Sequence, residues 1–543
     1  MLGGLALPIA AGLAGTLAPA LSGGGFNELA DWPGLPRAMA LSVGTGLAST
    51  LLALTITLLM IAALHDRPGF AAFRRVLSPL LALPHAAAAL GLAFLVAPSG
   101  WLARLVSPWA TGWESPPDLL ILNDPMGIAL TLGLVTKEVP FLMLMALAIL
   151  PQTDMARRGQ IAASLGYGRV MGFALSTLPA LYKGLRLPVF AVLAYGMTNV
   201  DMAMILGPNL PPTLAVQITD WMGAPSLQHL STAAAGALVQ LALVAATLAL
   251  WWVAERALAP VIPALAMAGR RARGLDAPMA GLVGGLAGLI ALGLGAGMAG
   301  LALWSFAGLW QFPAALPETL GLHTWAKAAP DLARQSATTL AIALAASLAA
   351  LALVLAALEA EARAGRPMGA SWLIYLPLIM PQVAFLPGLQ VLALHLGAKG
   401  SIATVAAAHL VFVLPYVWLS LAPAFRGWDG RIGLAAASMG TPPARIFWRL
   451  RLPMLLAPAL TALAVGIAVS VGQYLPTLML GGGRVETLTT EAVALSSGGN
   501  RRLIGATALL QMALPALGFA LALLLPRLIF RNRRAMLAER SAT

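Results

Sequence analysis

Twelve apolar runs, each close to the ~20 residues that cross ~30 Å of hydrocarbon, leave this chain little choice but a bundle of membrane-spanning helices. They fall at about 2–22, 38–63, 77–96, 126–150, 187–206 and 232–254, and again at about 277–303, 336–358, 372–396, 403–424, 456–479 and 504–526. Composition agrees, because 59% of the 543 residues are hydrophobic, 10% are charged and the mean hydropathy is +0.86, outside the range of soluble globular chains. The expected fold class is an all-α polytopic membrane protein. Cysteine is absent and the six histidines are scattered, so neither a disulfide framework nor a metal site is expected.

The net charge of +13 would point to nucleic acid in a soluble chain, but here its distribution follows the membrane. With the N-terminus in the cytoplasm, Arg67, Arg74, Arg75, Arg157, Arg158, Arg270, Arg271, Arg273, Arg426, Arg445, Arg449 and the tail residues Arg531, Arg533, Arg534 and Arg540 all lie inside. In that orientation 24 lysines and arginines are inside and 8 outside, with Lys137 within a span. The positive-inside rule therefore predicts cytoplasmic N- and C-termini and no nucleic-acid partner. The first run lacks a basic leader region and a small-residue cleavage site, so it is expected to stay as a membrane anchor.

One stretch occurs twice. Gln160 to Pro179 reads QIAASLGYGRVMGFALSTLP and Leu434 to Pro453 reads LAAASMGTPPARIFWRLRLP, an ungapped match at an offset of 274. Ala162/Ala436, Ala163/Ala437, Ser164/Ser438, Gly166/Gly440, Phe173/Phe447, Leu178/Leu452 and Pro179/Pro453 are identical pairs, which marks a duplicated element. Small Ala and Ser residues, with Ala435 among them, make a short helix that another surface can approach closely. The glycine lets the backbone turn, and the proline marks where a second helix starts or bends. Each copy lies in an Arg-containing gap between apolar runs, on the basic side.

The pattern A-A-x-x-x-G followed by L-P resembles the EAA loop of permease subunits of ATP-binding-cassette importers. The leading Glu of that loop is replaced by Gln160 in one copy and Leu434 in the other, and Ile161 replaces an Ala; the spacing is intact. The resemblance implies coupling helices at Gln160, Ala162, Ala163, Ser164, Gly166 and Pro179, and at Leu434, Ala435, Ala436, Ser438, Gly440 and Pro453. It further implies two cytoplasmic ATP-binding subunits on separate chains, an extracytoplasmic solute-binding protein and a bacterial inner-membrane location. No G-x-x-x-x-G-K-[ST] occurs, so ATP hydrolysis is expected elsewhere, and neither an enzyme nor a cofactor site is expected here. The fused layout most resembles the thiamine and ferric-iron importer group, which would make the solute small and polar.

Repetition extends past these loops. Leu206-Gly207 and Thr213-Leu214 recur as Leu480-Gly481 and Thr487-Leu488 at the same offset, while Pro84 and Gly91 recur as Pro381 and Gly388 at an offset of 297. The difference places about 23 extra residues in the first half, in the external loop Ala97 to Asp124. Two tandem, like-oriented halves are expected, 1–262 with a coupling loop at about 151–186 and 263–543 with one at about 425–455. The external segments are rich in Pro, Trp and Gly, which suits the membrane interface and contact with a binding protein.

Ionisable groups inside hydrocarbon are costly unless they meet a partner or a wet cavity. Lys137 and Glu138, ahead of Pro140, and Asp201 with Asn199 are therefore the pathway candidates, joined by Gln473 and Tyr474 from the second half. The positions matching Asp201 and Lys137-Glu138 in the second half are apolar, so any polar contact with solute is expected to be asymmetric. The alternative is a major-facilitator-like secondary transporter with no ATPase partner, suggested by Asp66-Arg67-Pro68-Gly69 after the second run. That motif lacks its first Gly at Ala62 and its Arg at Phe70, and it has no use for a doubled EAA-like loop.

Overall fold

In the computed structural model, residues 2–531 are described except 23, 66, 68, 69, 71–82, 225, 367–370 and 399. Arg74, Arg75, Arg533, Arg534, Arg540, the start of the third expected span and most of the Asp66–Gly69 motif lie outside the described residues. The described chain is helical, and its isolated β-bridge joins Ala307 to Leu320. Among the described residues eight helices are long and apolar enough to cross a membrane, or up to twelve if each of four bent pairs is one span. Leu51, Leu132, Leu250, Leu289, Leu292 and Leu521 face outward on these helices, an arrangement suited to lipid rather than water.

Helices Leu2–Ser22, Leu35–Leu64, His85–Val96, Ile128–Ile149, Leu178–Thr198 and Leu227–Leu258 lie in the N-terminal half of the sequence. Asp276–Phe306, His323–Ala364, Gln382–His395, Ile402–Arg426, Leu456–Val471 and Arg501–Ile529 lie in the C-terminal half. Three expected spans are corrected. The fifth, expected at 187–206, begins at Leu178, breaks at Asn199-Val200 and resumes as the separate helix Asp201–Leu206. The eleventh, expected unbroken over 456–479, stops at Val471 and resumes as Leu475–Gly481. The ninth, expected straight over 372–396, turns by 95° between Ile379 and Gln382, where Met380 and Pro381 are extended.

The breaks at the fifth and eleventh spans sit at matching places in the two halves. In the first, the Asn199 side-chain carbonyl accepts from Met202 N at 2.9 Å and Ala203 N at 3.2 Å, so donors freed by the break are satisfied inside the protein. A second matched device follows. Ser42 Oγ accepts from Leu214 N at 3.0 Å, and Thr339 Oγ1 accepts from Leu488 N at 3.0 Å, tying the start of each short helix, Leu214–Gly223 and Leu488–Ser496, to a long one.

The halves exchange their first helices. Leu2–Ser22 packs along Gln382–His395, and Asp276–Phe306 packs along His85–Val96. Both crossings are made of glycine. A methyl group placed on Gly388 would lie 2.5 Å from Thr16 N and 2.7 Å from the Gly15 carbonyl carbon, and one on Gly297 would lie 2.8 Å from the Gly91 carbonyl. Only hydrogen at Cα permits that approach. Gly388 N also donates to Thr16 Oγ1 at 3.2 Å. One contiguous buried cluster, including Leu90, Leu134, Phe385 and Leu414, runs through both halves.

Candidate functional site

The duplicated stretches fold into matched elbows. In the first, helix Met155–Ser164 ends at Gly166, whose φ is 85°, and helix Arg169–Ser176 follows. In the second, helix Gly430–Ser438 ends at Gly440, with φ of 78°, and Pro443–Ile446 follows. The closing hydrogen bonds coincide: Tyr167 N to Ala162 O at 3.0 Å with Gly166 N to Ala163 O at 2.9 Å, and Thr441 N to Ala436 O at 3.1 Å with Gly440 N to Ala437 O at 2.9 Å. Both are left-handed glycine caps that satisfy the last carbonyls of a helix.

Ala162 and Ala436 are the buried residues of the two short helices. The rest of each face is exposed, including Gln160, Ala163, Ser164, Leu434, Ala435 and Ser438. Ser164 and Ser438 spend their hydroxyls on the carbonyls of Ile161 and Ala435, both at 2.8 Å, so each elbow offers a smooth, small-residue surface. Apolar side chains stand out from it, with Leu165 59% and Met439 79% exposed. In the second elbow Asp429 accepts from Arg431 N and the Arg431 guanidinium, which holds its carboxyl below the usual carboxylate range.

Each elbow is anchored to the bundle differently. Arg158 donates to Ser176 O at 2.7 Å and Arg169 donates to Ala62 O at 3.0 Å, at the end of Leu35–Leu64. In the second elbow Arg451 pairs with Glu359 of His323–Ala364 and stacks over Trp428, 4.4 Å from its ring centre. Pro179 sits in the first turn of Leu178–Thr198, just after a 68° bend, whereas Pro453 precedes a 74° bend at Leu455. The second bend thus comes about one turn later, after a π-helical turn at Phe447–Arg451.

Four of the pathway candidates come together. Lys137, Glu138, Asn199 and Asp201 are all buried, and Lys137 Nζ donates to Leu83 O at 2.6 Å. Asn199 Nδ2 donates to Asp201 Oδ1 at 2.8 Å and to the Tyr195 hydroxyl. Lys137 lies within electrostatic reach of Glu138 and Asp201. Tyr474 reaches the same region from the second half, its hydroxyl directed at Met204 Sδ at 3.5 Å. Gln473 is partly exposed and lies at the second break. His409 is engaged elsewhere, between Ser470 Oγ at 2.8 Å and Thr477 Oγ1 at 2.9 Å.

Three further members of the cluster went unnoticed in the sequence. His85 packs on Tyr195, with ring centres 4.8 Å apart, and Tyr416 from the second half faces Glu138 and Tyr195. The available signal was His85 directly after the repeated Pro84; the tyrosines looked like ordinary residues of apolar runs.

No family model matches the chain. It is 33% identical over 520 residues, 96% of its length and 94% of the relative's, to the inner membrane ABC transporter permease protein YnjC of Escherichia coli (strain K12). Molybdenum transport system permease proteins ModB of Mycobacterium bovis and Mycobacterium tuberculosis are each 34% identical over 124 residues, 21% of this chain and 47% of theirs. Similarity of that extent, sustained through both sets of spans, favours a permease over the secondary-carrier alternative: this chain belongs to the ABC transporter permease family.

Proposed function

We propose that the chain is the membrane-spanning part of an ATP-driven, binding-protein-dependent importer, with halves 1–262 and 263–543 each offering one elbow to a separate ATPase subunit. The observation that supports this most is the matched pair of elbows. Each buries a single alanine, turns at a left-handed glycine and leaves its small-residue face open. Closure of the ATPase pair on nucleotide would draw the elbows together and rock the halves about their exchanged first helices. The buried cluster at Lys137, Glu138, Asn199 and Asp201 lies where the halves meet and is the reading's solute-contact region. A lysine facing two carboxylates suits a small polar solute; the thiamine and iron classes stay within that description, and molybdenum belongs to the names of the ModB relatives alone. Both termini are taken as cytoplasmic, with a solute-binding protein on the opposite side.

The test is Gly166→Asp combined with Gly440→Asp. A side chain at positive φ strains both caps by roughly 1 kcal/mol each; the carboxylate at 440 stands on an open face and the one at 166 is driven against the Arg271 side chain. Loss of co-purification with the ATP-binding subunit is expected. Retained assembly with solute-stimulated hydrolysis would overturn the reading.

A further inference from the structure

The two elbows differ in what closes them from outside. The segment joining the halves lies along the first elbow as a strap. Arg271 O accepts from Gly168 N at 2.7 Å, and Arg273 Nε donates to Gly166 O at 2.7 Å. The Asp276 carboxylate takes Arg169 N at 2.7 Å and Val170 N at 3.1 Å, capping the helix Arg169–Ser176 from a distant part of the chain. A methyl group on Gly166 would lie 3.2 Å from the Arg271 side chain, whereas around Gly440 there is nothing within 4 Å among the described residues.

The sequence accounts for this difference. Gly168 and Arg169, whose N–H groups the strap satisfies, are matched in the second elbow by Pro442 and Pro443, which have no N–H to satisfy. One elbow is complete by itself. The other needs the strap, and the strap brings cations with it: Arg270 and Arg271 are exposed, Arg271 against Gly166, and among the described residues neither is in an ion pair. Arg445 and Arg449, with the Asp429-paired Arg431, are the second elbow's own exposed cations, and among the described residues nothing lies within 4 Å of a methyl placed on Gly440.

We infer that the first ATPase-docking surface is a composite of elbow and interdomain strap, recognising a carboxylate-bearing face of the ATPase through Arg270 and Arg271, while the second is the elbow alone. This rests on the importer reading above. The two ATPase contacts are therefore unequal even when the two ATPase chains are identical, and salt weakens the first contact more than an uncharged surface would allow.

The experiment places a photoreactive benzophenone side chain at position 271, or at position 434 on the second elbow, in the full-length chain purified with its ATP-binding subunit. Adducts with that subunit are expected from both positions. Arg270→Glu with Arg271→Glu should weaken association by about tenfold at low salt and flatten its salt dependence. Adducts from 434 alone, with unchanged affinity in the double variant, overturn the composite surface and leave the importer reading intact. Adducts from neither position overturn the importer reading itself. Adducts from 271 with lipid only assign the arginines to anionic headgroups and overturn the inference.

Discussion

Replacing Gly388 with alanine tests the exchanged helices at their tightest point. The added methyl would overlap the Gly12 carbonyl oxygen and sit 2.5 Å from Thr16 N and 2.7 Å from the Gly15 carbonyl carbon, against the 3.4–4 Å of ordinary contact, so the helices must part by well over 1 Å along their crossing. Overpacking of that size costs ~1–3 kcal/mol. The Gly388 N to Thr16 Oγ1 hydrogen bond is lost as well, for about 1 kcal/mol more. A total of about 3 kcal/mol is expected. The control is Gly44→Ala, a helical position with nothing within 4 Å, where the same substitution should gain ~0.5–1 kcal/mol through helix propensity. Unfolding of the detergent-solubilised chain, followed by tryptophan fluorescence, should show Gly388→Ala melting well below wild type and Gly44→Ala at or slightly above it. Equal midpoints for the two variants would refute the idea that this crossing holds the halves together.

Other outcomes follow from single contacts. Asn199→Ala removes the acceptor for Met202 N and Ala203 N together with the donor to Asp201, and should cost about 1–2 kcal/mol with a fall in uptake; unchanged melting would show that water or other groups cap the break. Asp201→Ala should impair uptake while leaving ATPase assembly intact, and full transport would remove Asp201 from the solute-contact region. Glu359→Gln deprives the largely buried Arg451 of its counter-charge, and a loss of roughly 2 kcal/mol with uncoupled ATP hydrolysis is expected; coupling equal to wild type would show that the stacking on Trp428 suffices to hold the second elbow.

The elbows were legible in the sequence because their structure is local. A buried alanine, a glycine at positive φ and a following helix start are all written within a dozen residues, and duplication made the pattern visible above a background rich in Ala and Leu. The breaks at Asn199 and Gly472 were not legible. Hydropathy runs continue straight through them, and at the first break the freed backbone donors are taken by the Asn199 side chain, one polar residue in an apolar run. The 95° turn before Gln382 hid for the same reason, in an apolar run whose Pro381 had been read as a repeat marker. Gly12, Gly15 and Gly297 look like ordinary glycines, and Gly91 and Gly388 stand out only as a repeated pair, since close approach between helices distant in sequence leaves no local trace. The buried polar cluster is half legible: charges stand out in hydrocarbon, whereas Tyr195, Tyr416 and His85 acquire their place only through packing. The matched Ser42 and Thr339 ties were passed over because isolated hydroxyls are common in membrane helices.

The exchange of first helices bears on how the chain is made. A ribosome delivers Leu2–Ser22 hundreds of residues before Gln382–His395, the larger of the surfaces it rests on, so this helix waits in the bilayer with its seat incomplete while much of the polypeptide is still being synthesised. Asp276–Phe306 has no such wait, because His85–Val96 is already in place when it emerges. Assembly is therefore completed by the late arrival of a groove for an early helix, which until then has chiefly Leu227–Leu258 to rest on.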